Sequence, residues 1–190
     1  MSAPDRRQQI LDAALASFLE RGYVATSIGD IRRLSGASTG SIYHFFEGKG
    51  ALAEALLSQA VAGWSREAQA ALEPGATAER AIKASVSGLL RWGLHNPGHL
   101  RFMDEIRTLA APSNELAKVE AMLAEGQALG EKQYRLFVSR GEVRDLPFAI
   151  AHSLMLGPAY NYMRLASRSG VRDPQAPELL AEAAWRAVKT

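Results

Sequence analysis

Apolar positions recur at three- and four-residue spacings along nearly the whole chain, and each run is bounded by small polar residues, glycine or proline. Ile10, Leu11, Ala14, Leu15, Phe18 and Leu19 form the first run and predict a helix of about four turns. Ser2 is its candidate N-cap, with Pro4 in the first turn, Asp5 at N3, and Gly22 suited to the left-handed position past its end. Ser27 with Asp30 three residues on opens a second helix, whose stripe is Ile28, Ile31 and Leu34 and which ends at Ser35-Gly36. Ser38 opens a third and short helix anchored by Ile42, Phe45 and Phe46. Two short helices joined across a glycine-containing turn read as a helix-turn-helix.

After Glu47-Gly48-Lys49-Gly50, the positions Leu52, Leu56, Leu57, Val61 and Trp64 outline a longer helix to about Leu72, ended by Pro74-Gly75. Thr77 caps a fifth helix, closed by Asn96, and Pro97 opens a sixth carrying Leu100, Met103 and Ile106. Pro112-Ser113 restarts the chain into a long helix with Leu116, Val119, Leu123, Leu129, Leu136 and Phe137. An apolar helix over about 147–166 and a last one introduced by Asp173-Pro174 and Pro177 complete the pattern. No period-2 strand pattern interrupts it, so the predicted fold class is all-α with about nine helices.

Composition narrows the function. Of 190 residues, 22 are Lys or Arg and 20 Asp or Glu, a formal charge of +2, and 47% are hydrophobic, enough for a real core. Coating nucleic acid or an anionic membrane by bulk charge needs a large excess of Lys and Arg, so any polyanion must be met locally. Residues 1–50 hold six basic and five acidic side chains, so charge alone singles out no binding domain. Phosphate contact is therefore expected through hydroxyls, helix N-termini and a few placed cations, with a modest salt dependence. The absence of cysteine removes disulfides, thiolate nucleophiles and Cys-ligated metal sites. With no apolar run near the roughly 20 residues that cross a bilayer, a soluble, cytoplasmic protein is expected.

The stretch 26–57 carries the most chemistry. A helix entering the major groove presents small or polar residues near its N-terminus while apolar anchors hold its other face. Ser38, Thr39, Gly40 and Ser41 are small and polar, and Tyr43 and His44 lie outward between the anchors, where a phenol or imidazole can donate to phosphate. Thr26 or Ser27 at one helix start, and Lys49 with the free amides at the next, are further phosphate donors.

From Ile10 to Leu57 the chain resembles the DNA-binding domain of the TetR family of transcriptional regulators. The resemblance rests on Phe18, Gly22-Tyr23, Thr26-Ser27-Ile28, Ile31, Gly36, Ser38, Gly40-Ser41-Ile42-Tyr43-His44-Phe45-Phe46, Lys49 and Leu52. It implies that the third helix reads an operator, that Tyr43 touches phosphate and that Lys49 opens the helix joining two domains. The loop departs from the family's Pro-Ser-Lys-(Glu or Asp). Here Glu47 brings negative charge towards the DNA backbone, and Gly48 and Gly50 are expected to loosen the next helix.

The resemblance further implies a DNA-binding domain at 1–50 and, at 51–190, a helical domain that binds a small-molecule effector and dimerises through its last two helices. The expected partners are thus a palindromic double-stranded operator, an effector and a second copy of the chain, with no membrane, no cofactor and no enzyme activity. The segment 150–165 is apolar nearly all round, as a helix covered by its own core and by a partner would be. Trp92, Phe102, Met103, Met122, Tyr134 and Met155 sit on helices that line the effector cavity in relatives. His152 is expected to be buried and hydrogen-bonded. Two other classes compete: a small all-α enzyme with a metal at His95 and His99, although Pro97-Gly98 separates them, and a helical protein-interaction adaptor that binds no DNA.

Overall fold

The computed structural model describes residues 5–69, 75–110 and 113–190. Within them lie α1 (Arg6–Arg21), α2 (Ile28–Ser35), α3 (Thr39–Phe45), α4 (Lys49–Gln69), α5 (Ala78–His95), α6 (Pro97–Ala110), a 3₁₀ turn (Asn114–Leu116), α7 (Ala117–Ser139), α8 (Phe148–Ser169) and α9 (Ala176–Val188). Among the described residues the only β pairing is an isolated antiparallel bridge between Val143 and Lys189. The fold is all-α, as expected.

Most helix ends follow local chemistry. Gly22, at φ 81°, donates its N–H to the Phe18 carbonyl, and Gly36 takes the left-handed conformation after α2. Ser27 and Asp30 form a complete capping box, and Thr77 caps α5 through the Arg80 amide. Two boundaries differ from the pattern. Asp5 is the N-cap of α1, accepting from the Arg7 amide, where N3 was expected; the expected roles of Ser2 and Pro4 lie outside the described residues. So do Leu72, Pro74 and Pro112. The helix expected from Ser113 first makes the 3₁₀ turn, because Leu116 is already buried before α7 starts at Ala117.

The chain forms two compact units, and neither is continuous in sequence. The first combines Met1–Ala60 with Gly98–Glu125; the second combines Val61–Pro97 with Gly126–Thr190. The division thus differs from a boundary at residue 50.

In the first unit, Ile10, Leu11 and Phe18 of α1 are buried with Ile31, Ile42 and Leu52, and Phe102 of α6 stacks on Phe18 at 5.7 Å. Phe102 and Met103 are therefore core of this unit rather than walls of a pocket in the other.

In the second unit α5 packs on α8 and α9, and α8 on α9. Glycines allow the helices to close up: a Cβ on Gly63 would collide with the Trp92 indole, one on Gly88 with the Ala68 backbone, and one on Gly93 with the Met163 sulfur. On α8, Ala151, Ala159, Met163 and Ala166 are buried, whereas Ile150, Leu154 and Leu165 face outward. His152 is exposed, its ring edge-on to Phe148 at 5.7 Å, which corrects the expectation of a buried histidine. Arg144 donates its amide to the Val188 carbonyl at 2.8 Å, tying the α7–α8 connection to the chain end.

Candidate nucleic-acid interface

The interface is built on α3, a helix of seven residues that cannot hold itself in water. Ser38 caps it, accepting from the Ser41 amide at 3.1 Å, and Phe46 closes it with an N–H to the Ile42 carbonyl at 2.9 Å. Ile42 and Phe46 are buried, and Ala37, ahead of the cap, is buried too. Phe45 is not an anchor. It is 38% exposed and meets His44 edge-on at 5.0 Å. Leu34 on α2 is likewise exposed, because Ile31 and Ile28 already fill that short helix's inner face.

With those anchors inside, Ser38, Thr39, Gly40, Tyr43 and His44 lie on the exposed face and Ser41 is half-buried. Tyr43 is 53% exposed. The structure thus brings together, on one short helix, six of the nine residues singled out from sequence.

The other three are engaged internally. Thr26 is 2% exposed, and its hydroxyl lies 2.8 Å from the Gly22 carbonyl and 3.1 Å from that of Ser17, joining α1 to α2. The Ser27 hydroxyl donates to the Asp30 carboxylate at 2.6 Å while accepting from the Asp30 amide. Those Ser27 hydrogen bonds come first, and Arg21 and Arg33 add to them, in lowering the Asp30 pKa to about 2. The Lys49 ammonium donates to the carbonyls of Tyr23 at 3.1 Å and Val24 at 3.3 Å and stands 4.5 Å from the Tyr23 ring centroid.

The departures in the loop also have structural reasons. A Cβ on Gly50 would run into the backbone carbonyl of Glu115, so this glycine permits close packing of the 3₁₀ turn instead of loosening α4. The charge of Glu47 is partly offset by Lys118 at 3.6 Å, an exposed pair.

Sequence reasoning missed Arg6 and Arg7. The Arg6 guanidinium reaches the Gly36 carbonyl at 3.4 Å, and that of Arg7 stands 5.1 Å from the Phe46 ring centroid, so both cations lie beside the turn and the end of α3. Their position before the first apolar run carried no signal of this.

His95 closes α5 with Nδ1 2.7 Å from the Arg91 carbonyl. His99 lies in the first turn of α6, where burial lowers its pKa against the opposing pull of Asp12. Among the described residues no group of three or more His, Cys, Asp or Glu side chains is placed to hold a metal ion.

A capped, doubly anchored short helix with a polar outer face, set one glycine turn after α2, defines a helix-turn-helix within an all-α fold. Residues 10–56 match the model of the family described as bacterial regulatory proteins, tetR family. The chain is 42% identical over 55 residues to the HTH-type transcriptional regulator TtgR of Pseudomonas putida, which covers 29% of this chain and 26% of that one. It is 36% identical over 88 residues to the HTH-type transcriptional regulator BetI of Escherichia coli, covering 44% of each. The chain thus spans less than half the length of these relatives. A TetR family regulator from Marinobacter aquaeolei shares the fold, with a TM-score of 0.77 at 22% identity over 97% of this chain and 95% of that one. The family likeness thus lies in residues 10–56, and over the rest of the chain the likeness is one of fold.

Proposed function

We propose that the protein is a transcriptional repressor that binds a palindromic operator as a homodimer and is released by a small-molecule effector. The single observation that carries DNA reading is the outer face of α3, on which Ser38, Thr39, Gly40, Tyr43 and His44 stand exposed above buried Ile42 and Phe46. Thr39 and Gly40 admit close approach to base edges, and the Tyr43 hydroxyl donates to a phosphate oxygen. Arg6 and Arg7 add positive charge beside the turn and the end of α3.

Dimerisation through α8 and α9 is supported by the outward Ile150, Leu154 and Leu165 on α8 and Leu179 on α9, an apolar face that a second copy would cover. Two-fold symmetry would then repeat α3 on two half-sites, hence a palindrome. The second unit is the proposed seat of the effector, as ligand response is typical of the family. Trp92 and Tyr134 are buried there and Met155 half-buried. Release requires the effector to bind the operator-competent and incompetent states with different affinity. The protein acts by binding rather than catalysis, and in the cytoplasm, where DNA and effector meet; no described helix is long and apolar enough to cross a membrane.

The decisive experiment is to capture fragmented genomic DNA on the purified protein and sequence what is retained. Recovery of fragments sharing an inverted repeat is expected. No sequence-selective retention at any salt concentration would overturn the proposal.

A further inference from the structure

The turn between α1 and α2 is held from three other parts of the chain, and Tyr23 is where they meet. Its N–H donates to the Glu105 carboxylate of α6 at 2.7 Å, across 82 residues of sequence. Its carbonyl accepts from the Thr26 amide within the turn at 3.3 Å and from the Lys49 ammonium of α4 at 3.1 Å. Its ring packs on Phe18 of α1 at 5.2 Å and under Lys49. The buried hydroxyl faces Glu115 without a well-formed hydrogen bond, and burial first, then the Glu115 charge, pushes its pKa up.

Both backbone groups of Tyr23 are therefore satisfied by charged side chains, and charge-assisted bonds of this kind are roughly twice as strong as neutral ones. Neither partner is engaged by chance: Gly22 leaves room for the Glu105 carboxylate, which would lie 3.2 Å from a Cβ at that position. Further along α6, Arg101 reaches the Leu19 carbonyl and Phe102 stacks on Phe18. What the clamp fixes is the entry to α2, since Thr26 and the Ser27 cap follow directly.

We propose that Glu105 and Lys49 are positioning residues for DNA recognition, clamping the Tyr23–Val24 turn from opposite sides so that the start of α2 meets the DNA backbone in register. This rests on the DNA-binding reading above. It assigns the Lys49 charge to two carbonyls of its own chain instead of a phosphate, and gives a role to an α6 carboxylate lying outside the helix-turn-helix.

The test uses the full chain and a duplex that the wild type selects from genomic DNA, with affinity measured over a series of potassium chloride concentrations. Simple electrostatics predicts that Glu105→Leu, by deleting a negative charge, tightens binding. The clamp predicts the opposite sign, a loss of roughly tenfold, with Glu105→Gln, which keeps an oxygen acceptor, binding at least as well as wild type. Lys49→Met should weaken binding without changing the slope of log affinity against log salt, whereas a phosphate contact would reduce that slope by about 1 per protomer. Hydrogen exchange at the Tyr23 amide, which needs no DNA, should quicken in Glu105→Leu and not in Glu105→Gln.

Undiminished binding by Glu105→Leu, or a reduced slope in Lys49→Met, overturns the clamp. If Glu105→Leu melts far below wild type, the Lys49→Met slope decides alone. A wild-type protein that selects no DNA overturns the functional reading itself, a result distinct from wild-type binding that Glu105→Leu shares.

Discussion

Two parts of the first unit carry the same kinds of polar side chain and use them in opposite ways. On α3, Thr39, Tyr43 and His44 stand on an exposed face beyond the Ser38 cap. At the starts of α2 and α4, Thr26, Ser27 and Lys49 turn their donors inward, to carbonyls of Ser17, Gly22, Tyr23 and Val24 and to the Asp30 carboxylate. A hydroxyl or ammonium at a helix start is as well suited to fastening the chain as to meeting a phosphate. What separates the two uses is whether a carbonyl lies within about 3 Å. The first group should govern binding with little effect on stability, and the second should govern stability, acting on binding only through the turn it holds.

The largest effect expected from this contrast lies in a neighbouring pair of phenylalanines. Phe46→Ala removes a buried anchor of α3 and should cost about 3–5 kcal/mol in denaturant unfolding. Phe45→Ala, at an exposed position, should cost under about 1 kcal/mol; equal losses would erase the distinction between inner and outer face. Next comes Thr26→Val, which leaves two carbonyls without their hydroxyl partner and should destabilise by about 1–3 kcal/mol. A Thr26→Val protein of unchanged stability and impaired DNA binding would return that hydroxyl to the phosphate-contacting group.

Smaller still is the capping box, where Ser27→Ala should cost about 1 kcal/mol. The same box gives a pH signature. The Asp30 pKa is lowered from 3.8 to about 2 in the folded protein, so its contribution is complete above pH 3.8 and is lost as pH falls towards about 2. Acid titrations of wild type and Asp30→Asn should converge across that window; curves that stay parallel would show that the box adds nothing. The smallest effect on stability is that of Tyr43→Phe, with an unchanged melting temperature and operator affinity reduced by about 0.5–1.5 kcal/mol. Unchanged affinity would remove the phosphate role of that hydroxyl.

Features encoded within four residues were readable from the chain. The Ser27–Asp30 box, the Gly22 and Gly36 ends and the Ser38 cap follow from local hydrogen-bonding options, and so did the helix-turn-helix they frame. Leu34 and Phe45 misled because a helix of seven or eight residues makes only two turns, too few for spacing to tell an inner apolar position from an outer one. The internal use of Thr26 and Lys49 was hidden for another reason: whether a carbonyl lies nearby depends on how the turn is folded. Glu105, 82 residues from Tyr23, and the fit of the Glu115 carbonyl against Gly50 are tertiary facts with no local signature. Phe102 and Met103 sit on a helix that lines the effector cavity in relatives, and only the stacking of Phe102 on Phe18 shows them to be core of the first unit.

The discontinuity of the first unit bears on how the molecule is made. During synthesis at roughly 5–20 residues per second, about 4–16 seconds separate the addition of Tyr23 from that of Glu105. Through that interval the nascent helix-turn-helix lacks the carboxylate partner of its α1–α2 turn and the Phe102 ring that stacks on Phe18. Pauses between codons 60 and 98 would lengthen the exposure of that unfinished core to chaperones and proteases, so translation speed over this stretch should bear on the yield of folded protein more than speed over the last helices.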